Sequence, residues 1–247
     1  GSCAGGNRSW LNAFEPGSGT TIMAYAGSCG NDNLQNNSDD YFHSASLRDM
    51  TDYMRFGQGN NCAVITNNGN SAPVVNPGEG QGLVIPVNTP FKLEGNATDV
   101  DGDVLTYCWE QMDLGPSGDV NSPSQNAPIF RSFDPTTSPV RYFPRLSDLV
   151  NNTTVFGELL PTYSRDLTFR LTVRDNELTG NGFAWEEIEF QATAQAGPFL
   201  VTSPNTGAAL SAGAFEENEC NIANTDVAPI NCKTVNININ RDGGFTF

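Results

Sequence analysis

Several features that mark common classes of protein are scarce in this chain of 247 residues. It has 12 basic against 28 acidic residues and a net charge of -16, so its surface should repel nucleic acid phosphates and anionic lipid headgroups. No stretch approaches the roughly 18 consecutive apolar residues of a membrane span. No basic region followed by an apolar core marks the N-terminus as a signal peptide. The sequence therefore predicts no nucleic acid partner and no membrane span.

Histidine is almost missing, because His43 is the only one in the chain. A catalytic zinc site needs several protein ligands, which a single histidine does not supply. The HExxH string of metalloproteases is absent, and so are a P-loop, a dinucleotide fingerprint and a GxSxG serine elbow. The sequence thus predicts no zinc ligands in this chain.

Six cysteines are present, and none of them form a CxxC pair. An even number in a lysine-poor chain rich in Asn, Gly and Thr predicts an oxidising compartment, and therefore a secreted or cell-surface protein. The disulfide candidates, whose pairing the sequence leaves open, are Cys3, Cys29, Cys62, Cys220 and Cys232.

Residues 1–66 are rich in loop-forming residues and contain one helical pattern. Ser46 and Asp49 have capping-box spacing, and Leu47, Met50 and Tyr53 follow at helical intervals. Residues 67–82 are rich in turn formers and almost free of periodicity, which is typical of a linker.

From Leu83 onward the hydrophobic pattern changes to a period of two. Alternation is clear at residues 105–110, 167–173 and 188–192, as expected for half-buried antiparallel strands with one wet face. Residues 83–196 are therefore predicted to form a β-sandwich. Residues 197–247 begin another strand-rich segment and are predicted to be an incomplete β module.

The most specific motif runs from Glu15 to Gly30, EPGSGTTIMAYAGSCG, and continues with NLQ and DDYFH. It resembles the Met-turn region of bacterial reprolysin-like metzincin zinc proteases over about residues 1–66. The resemblance implies that Met23 forms the apolar floor beneath a catalytic zinc, because a thioether fills space there without competing as a ligand. It also implies that Tyr25, at the Met-x-Tyr spacing, swings toward the metal.

The same resemblance implies a structural position for His43 near the last helix of the catalytic domain. The zinc-binding HExxHxxGxxH would lie upstream, in the remaining half of the catalytic domain. That upstream half and a protein or peptide substrate are therefore the expected partners. Zinc is expected in the parent enzyme only, and the chain alone is not expected to hydrolyse peptide bonds.

A second motif alternates carboxylates around a glycine, at Asp99, Asp101 and Asp103. Side chains at alternate loop positions can converge on one hard cation, which predicts weak Ca²⁺ binding, while a solvated Asp-Gly turn is the simpler interpretation. The surrounding sequence resembles the cadherin-like and PKD-like Ig modules of bacterial surface proteins. In that resemblance Asp175 joins the three carboxylates.

The expected fold is thus mainly β: an Ig-like antiparallel β-sandwich preceded by a loop-rich metzincin C-terminal subdomain with one helix. The first functional hypothesis is a fragment of a secreted zinc-dependent metalloendopeptidase. The alternative is a non-enzymatic, calcium-stiffened adhesion or stalk protein of the bacterial surface. An HExxHxxGxxH upstream of Cys3 distinguishes the first from the second.

Overall fold

The computed structural model describes residues 1–3, 5–6, 8–178, 180–196, 198, 200–203 and 236–238. Within them the fold is mainly strands with little helix, which confirms the mainly-β prediction. The strands are β1 Val74–Asn76, β2 Val84–Pro86, β3 Phe91–Glu94, β4 Asn96–Thr98, β5 Thr106–Gln111, β6 Val140–Phe143, β7 Arg165–Arg174, β8 Phe183–Thr193, β9 Leu200–Ser203 and β10 Asn236–Asn238. The α-helices are α1 Ser44–Arg55 and α2 Leu146–Asn151.

Helix α1 starts two residues before the predicted capping box. Its N-cap is His43, whose Nδ1 accepts a hydrogen bond of 3.1 Å from the Ala45 amide. The amide of Ser44, the first residue of the helix, donates to the Glu110 carboxylate of β5. The predicted start at Ser46 is therefore wrong, because the His43 side chain caps the helix and Glu110 accepts the amide of its first residue.

Contact density divides the chain into two units. The first comprises residues 1–82, 90–160 and 166–190, and the second comprises residues 83–89, 161–165 and 191–247. The predicted boundaries at 66, 82 and 196 stay predictions. The segment predicted as a linker contains β1, which pairs antiparallel with β4. Most of the module predicted at 197–247 lies outside the described residues.

In the first unit β5 pairs antiparallel with β7, so that Tyr107 faces Val173 and Trp109 faces Leu171. Strand β8 lies on the other side of β7, and β3 pairs antiparallel with β6. In the second unit β2 pairs with the last residues of β8, and this pairing is parallel rather than antiparallel as expected. In the same unit β9 and β10 form an antiparallel pair.

The apolar side chains of β7 alternate as the sequence predicts and form the core. Leu167, Phe169, Leu171 and Val173 have no solvent exposure. Around Phe169 lies a phenyl cluster whose ring centroids are 4.7 to 5.9 Å apart; its members are Phe91, Phe130, Phe143, Phe169 and Phe190. Strands β3, β6, β7 and β8 each contribute a ring, so the cluster joins them in one core.

The opposite face of β5 and β7 is buried as well, which differs from the predicted wet face. Cys108 and Glu110 of β5 and Arg170 and Thr172 of β7 are all buried. Ser44, at the start of α1, hydrogen-bonds both Glu110 and Arg170. Residues of the N-terminal segment therefore cover the polar face of these strands.

The four cysteines that the structure describes form one disulfide and two free thiols. Cys3 and Cys29 are bonded, with their Cα atoms 6.1 Å apart. Among the described residues Cys62 is an exposed free thiol, and Cys108 is a buried one. Cys220 and Cys232, also predicted as disulfide candidates, lie outside the described residues.

Candidate functional site

The segment that carries Met23 folds around a buried carboxylate. Oε1 of Glu15 accepts hydrogen bonds from the amides of Thr20 (2.7 Å) and Thr21 (3.2 Å), and Oε2 accepts one from the Thr21 hydroxyl (2.8 Å). Gly19 has a positive φ of 67°, which glycine adopts without strain. Residues 15–25, which we call the Met23 loop, are closed by a bond from the Tyr25 amide to the Ser18 carbonyl.

Met23 and Tyr25 lie on the wall of one cavity of about 270 Å³. The Met23 side chain is 66% exposed and that of Tyr25 is 42% exposed. Glu15 and His43 line the same cavity, together with Met50 of α1. The structure therefore brings both residues of the predicted catalytic site to an open concave surface, where a methionine thioether meets solvent rather than core.

His43 is buried, and both of its ring nitrogens lie next to groups of the protein. Its Nδ1 accepts the Ala45 amide, so the neutral ring carries its proton on Nε2. Nε2 lies 3.7 Å from Oε1 of Glu110, a carboxylate with no solvent exposure. The His43 ring is thus held between the start of α1 and strand β5.

Sequence reasoning missed the polar network that holds His43. Glu110 accepts hydrogen bonds from the Ser44 amide and from the hydroxyls of Ser132 (3.1 Å) and Thr172 (3.2 Å). The signal for this network in the sequence is a charged residue, Glu110, directly after Trp109, which is buried in β5. Because its partners are up to 66 residues away, local spacing does not reveal them.

The second candidate site is the acidic loop cluster, defined as Asp99, Asp101 and Asp103. One carboxylate oxygen of each lies within 4.8 Å of the others. Oδ1 of Asp99 accepts the amides of Asp101 (2.8 Å) and Gly102 (3.0 Å), which fixes the loop. Oδ2 of Asp99 is buried and has no hydrogen-bond partner among the described residues.

Like charge perturbs this cluster. Desolvation, followed by the negative charges of Asp99 and Glu177, raises the pKa of the Asp103 carboxyl. A carboxyl whose pKa is raised by folding disfavours the folded chain as the pH rises and the group ionises. A bound cation would relieve this repulsion, and hard oxygen ligands of this type suit Ca²⁺.

Asp175, the fourth predicted calcium ligand, lies beside the cluster and not within it. Its side chain is 1% exposed and accepts bonds from the Gly182 amide (2.8 Å) and from Nδ2 of Asn70 (2.7 Å). Asn70 and Glu177, which the sequence did not single out, line a cavity of about 230 Å³ together with Asp101 and Asp103. Oδ1 of Asn70 is buried and unpartnered among the described residues. Asp175 therefore holds the side-chain amide of Asn70, a residue of the same cavity wall as Asp101 and Asp103.

The cavity at Met23 and the cavity at the acidic loop cluster share no lining residue. The two candidate sites are therefore separate places on the first unit.

Within the part of the chain that the structure describes, no helix has the length and apolar character needed to cross a bilayer. Neither the protein-family models, nor the curated proteins, nor the solved structures compared with the chain match it.

Proposed function

We propose that residues 1–66 are the C-terminal part of the catalytic domain of a secreted, reprolysin-like zinc metalloendopeptidase, whose zinc ligands belong to polypeptide outside residues 1–247. The observation that carries the proposal is the exposure of Met23 on the wall of a cavity that Tyr25 also lines. An apolar floor for a metal must face the space that the metal occupies, and a soft thioether fills it without displacing harder ligands.

The partner of residues 1–66 in this proposal is the upstream half of the catalytic domain. Large apolar side chains of the segment are unusually exposed, including Trp10 (69%), Tyr53 (56%), Met54 (54%) and Phe56 (84%). Exposed apolar groups of this size are typical of a surface that a partner covers. The Cys3–Cys29 disulfide supports an oxidising, extracytoplasmic location.

The test is the reading frame that encodes the chain. We expect an HExxHxxGxxH upstream of Cys3, and we expect the longer product to bind one zinc and to hydrolyse a peptide substrate such as casein. Met23→Ala in that product should lower activity, whereas Val150→Ala, at an apolar residue of α2 that is 75% exposed and does not line the cavity, should not. A reading frame without the motif, or a longer product free of zinc, contradicts the proposal.

A second candidate function rests on the acidic loop cluster. In it, residues 83–196 form an Ig-like sandwich that Ca²⁺ stiffens, within an adhesion or stalk protein of the bacterial surface. The convergence of three carboxylates within 4.8 Å supports it, as do the two buried acceptor oxygens of Asp99 and Asn70. Extracellular modules of this kind bind Ca²⁺ with dissociation constants on the order of 10⁻⁴ to 10⁻³ M.

Asp101→Ala tests the calcium site. The variant should melt at a lower temperature than the parent chain in calcium and at the same temperature in chelator. Asp52→Ala, which removes an exposed carboxylate of α1 away from the cluster, is the matched control. Equal losses for Asp101→Ala in calcium and in chelator would exclude the metal.

A further inference from the structure

Glu15 is the only carboxylate of the Met23 loop, and Thr20 and Thr21 donate hydrogen bonds to it. The residue is 6% exposed, and Thr20 and Thr21, which donate to it, are 0% and 1% exposed. Charge-assisted bonds from backbone amides to a buried carboxylate are shorter and stronger than neutral ones. The Glu15 carboxylate therefore accepts the hydrogen bonds that the Thr20 and Thr21 amides would otherwise donate to water, since neither amide is paired in a helix or strand.

These bonds act on the residues that lead directly into Met23. The Thr21 carbonyl accepts the Ala24 amide at 2.9 Å, so Met23 lies inside the turn that starts at a residue held by Glu15. The Ser18 carbonyl accepts the Tyr25 amide at 2.9 Å and closes the loop beyond it. Fixing Thr20 and Thr21 therefore fixes where the Met23 and Tyr25 side chains leave the backbone.

Gly19 shows that the loop is built around the carboxylate. A Cβ atom at this position would lie 2.8 Å from Oε2 of Glu15 and 2.8 Å from the Cβ of Ala24. Real Cβ atoms do not approach other atoms so closely, and the φ of 67° is strained for any residue with a side chain. Glycine at this position therefore permits the close approach of Glu15 to the turn.

We propose that Glu15 is the positioning residue of the candidate active site: its carboxylate holds the Met23 loop so that Met23 and Tyr25 face the cavity. What the loop does there rests on the proposed protease function, whereas the positioning itself does not. Glu15 needs no contact with substrate or metal for this role.

The positioning can be measured on the 247-residue chain by NMR with methionine methyl groups labelled with ¹³C. The chain has four methionines, and Met23→Leu assigns the signal of Met23. Glu15→Ala should shift or broaden the Met23 signal by more than its line width and leave that of Met112, in the sheet region, in place. The matched control is Glu158→Ala, which removes another buried carboxylate, bound to Arg141, and should lower stability without moving the Met23 signal.

Glu15→Gln keeps the inference testable should the alanine variant not fold. Its carbonyl oxygen still accepts the Thr20 and Thr21 amides, while its amide nitrogen replaces Oε2 opposite the Thr21 hydroxyl. We expect a smaller but measurable shift of the Met23 signal, and partial rescue relative to alanine where both variants fold. A Met23 signal unchanged in either folded variant overturns the role of Glu15.

The two proposals fail separately. If the Met23 signal moves but the longer reading frame encodes no zinc protease, Glu15 is the positioning residue of a loop with another task. If the longer product is an active protease and the Met23 signal does not respond to Glu15, the protease stands and the positioning role falls.

Discussion

At the scale of single residues, Glu110 connects the N-terminal segment to the sheet. Glu110→Ala leaves the Ser44 amide and the hydroxyls of Ser132 and Thr172 without their acceptor in a site closed to water. We expect the free energy of unfolding to fall by about 3 kcal/mol, because each buried donor left unpaired costs roughly 1 kcal/mol or more. Urea denaturation measures the change.

The control for Glu110 is Glu94→Ala, since Glu94 is 55% exposed and pairs with Lys92 at the surface. Exposed pairs contribute about 0 to 1 kcal/mol, so this variant should stay close to the parent chain. If both variants lose equally little stability, Glu110 does not connect the segment to the sheet.

Two described thiols differ enough in environment to be told apart chemically. Cys62 is exposed, whereas Cys108 is buried, and burial raises the pKa of the Cys108 thiol well above its usual range. The thiolate is the reactive form, so iodoacetamide should modify Cys62 in the native chain and reach Cys108 only after unfolding. Peptide mass mapping checks this, and native labelling of Cys108 would contradict the burial of the polar sheet face.

Residue-level prediction from sequence is limited to contiguous motifs and fails where partners are distant. Met23 and Tyr25 stand in one continuous string, and both line a cavity. Nothing next to Glu110 in the sequence shows that Ser44 and Thr172 meet it. The capping box at Ser46 misled for a related reason: α1 begins at Ser44, whose amide donates to Glu110 of a strand, and His43 is its N-cap.

At the scale of elements, the phenyl cluster joins β3, β6, β7 and β8. Phe169→Ala removes the ring that contacts the four others of the cluster and leaves a cavity beside side chains that have little or no solvent exposure. The expected loss is about 3 to 5 kcal/mol of unfolding free energy, measured in urea. Phe56→Ala, at a side chain 84% exposed, should change stability by no more than about 0.5 kcal/mol. A similar loss of unfolding free energy in Phe169→Ala and Phe56→Ala would contradict the conclusion that the phenyl cluster forms the core.

The period-two pattern located β5, β7 and β8 correctly, because one face of each meets the phenyl cluster or its neighbours. It failed on the other face, where the polar residues Glu110, Arg170 and Thr172 suggested solvent. A sheet face that another segment covers with hydrogen-bonding groups has the same pattern as one that water covers. Periodicity therefore predicts which residues form strands better than it predicts what lies against them.

At the scale of the whole molecule, the net charge of -16 makes the chain sensitive to salt of any kind, and this must be separated from calcium binding. Sodium chloride should raise the melting temperature by screening, in the parent chain and in Asp101→Ala alike. In a fixed excess of sodium chloride, 10 mM Ca²⁺ should raise the free energy of unfolding of the parent chain. The increase is about 1.4 to 2.7 kcal/mol for a dissociation constant on the order of 10⁻³ to 10⁻⁴ M.

Magnesium chloride at 10 mM is the control for divalent screening, because Mg²⁺ gives up its water reluctantly and needs near-octahedral ligands. We expect Mg²⁺ to add little stability beyond that given by sodium chloride, because the acidic loop cluster is open to solvent at Asp101. Asp101→Ala should lose only the additional stabilisation by calcium and should keep the stabilisation by salt. Equal stabilisation by both divalent ions, unchanged in Asp101→Ala, would assign the whole response to screening. The acidic excess of the chain would then serve as surface charge, and the carboxylates of the loop would form no site.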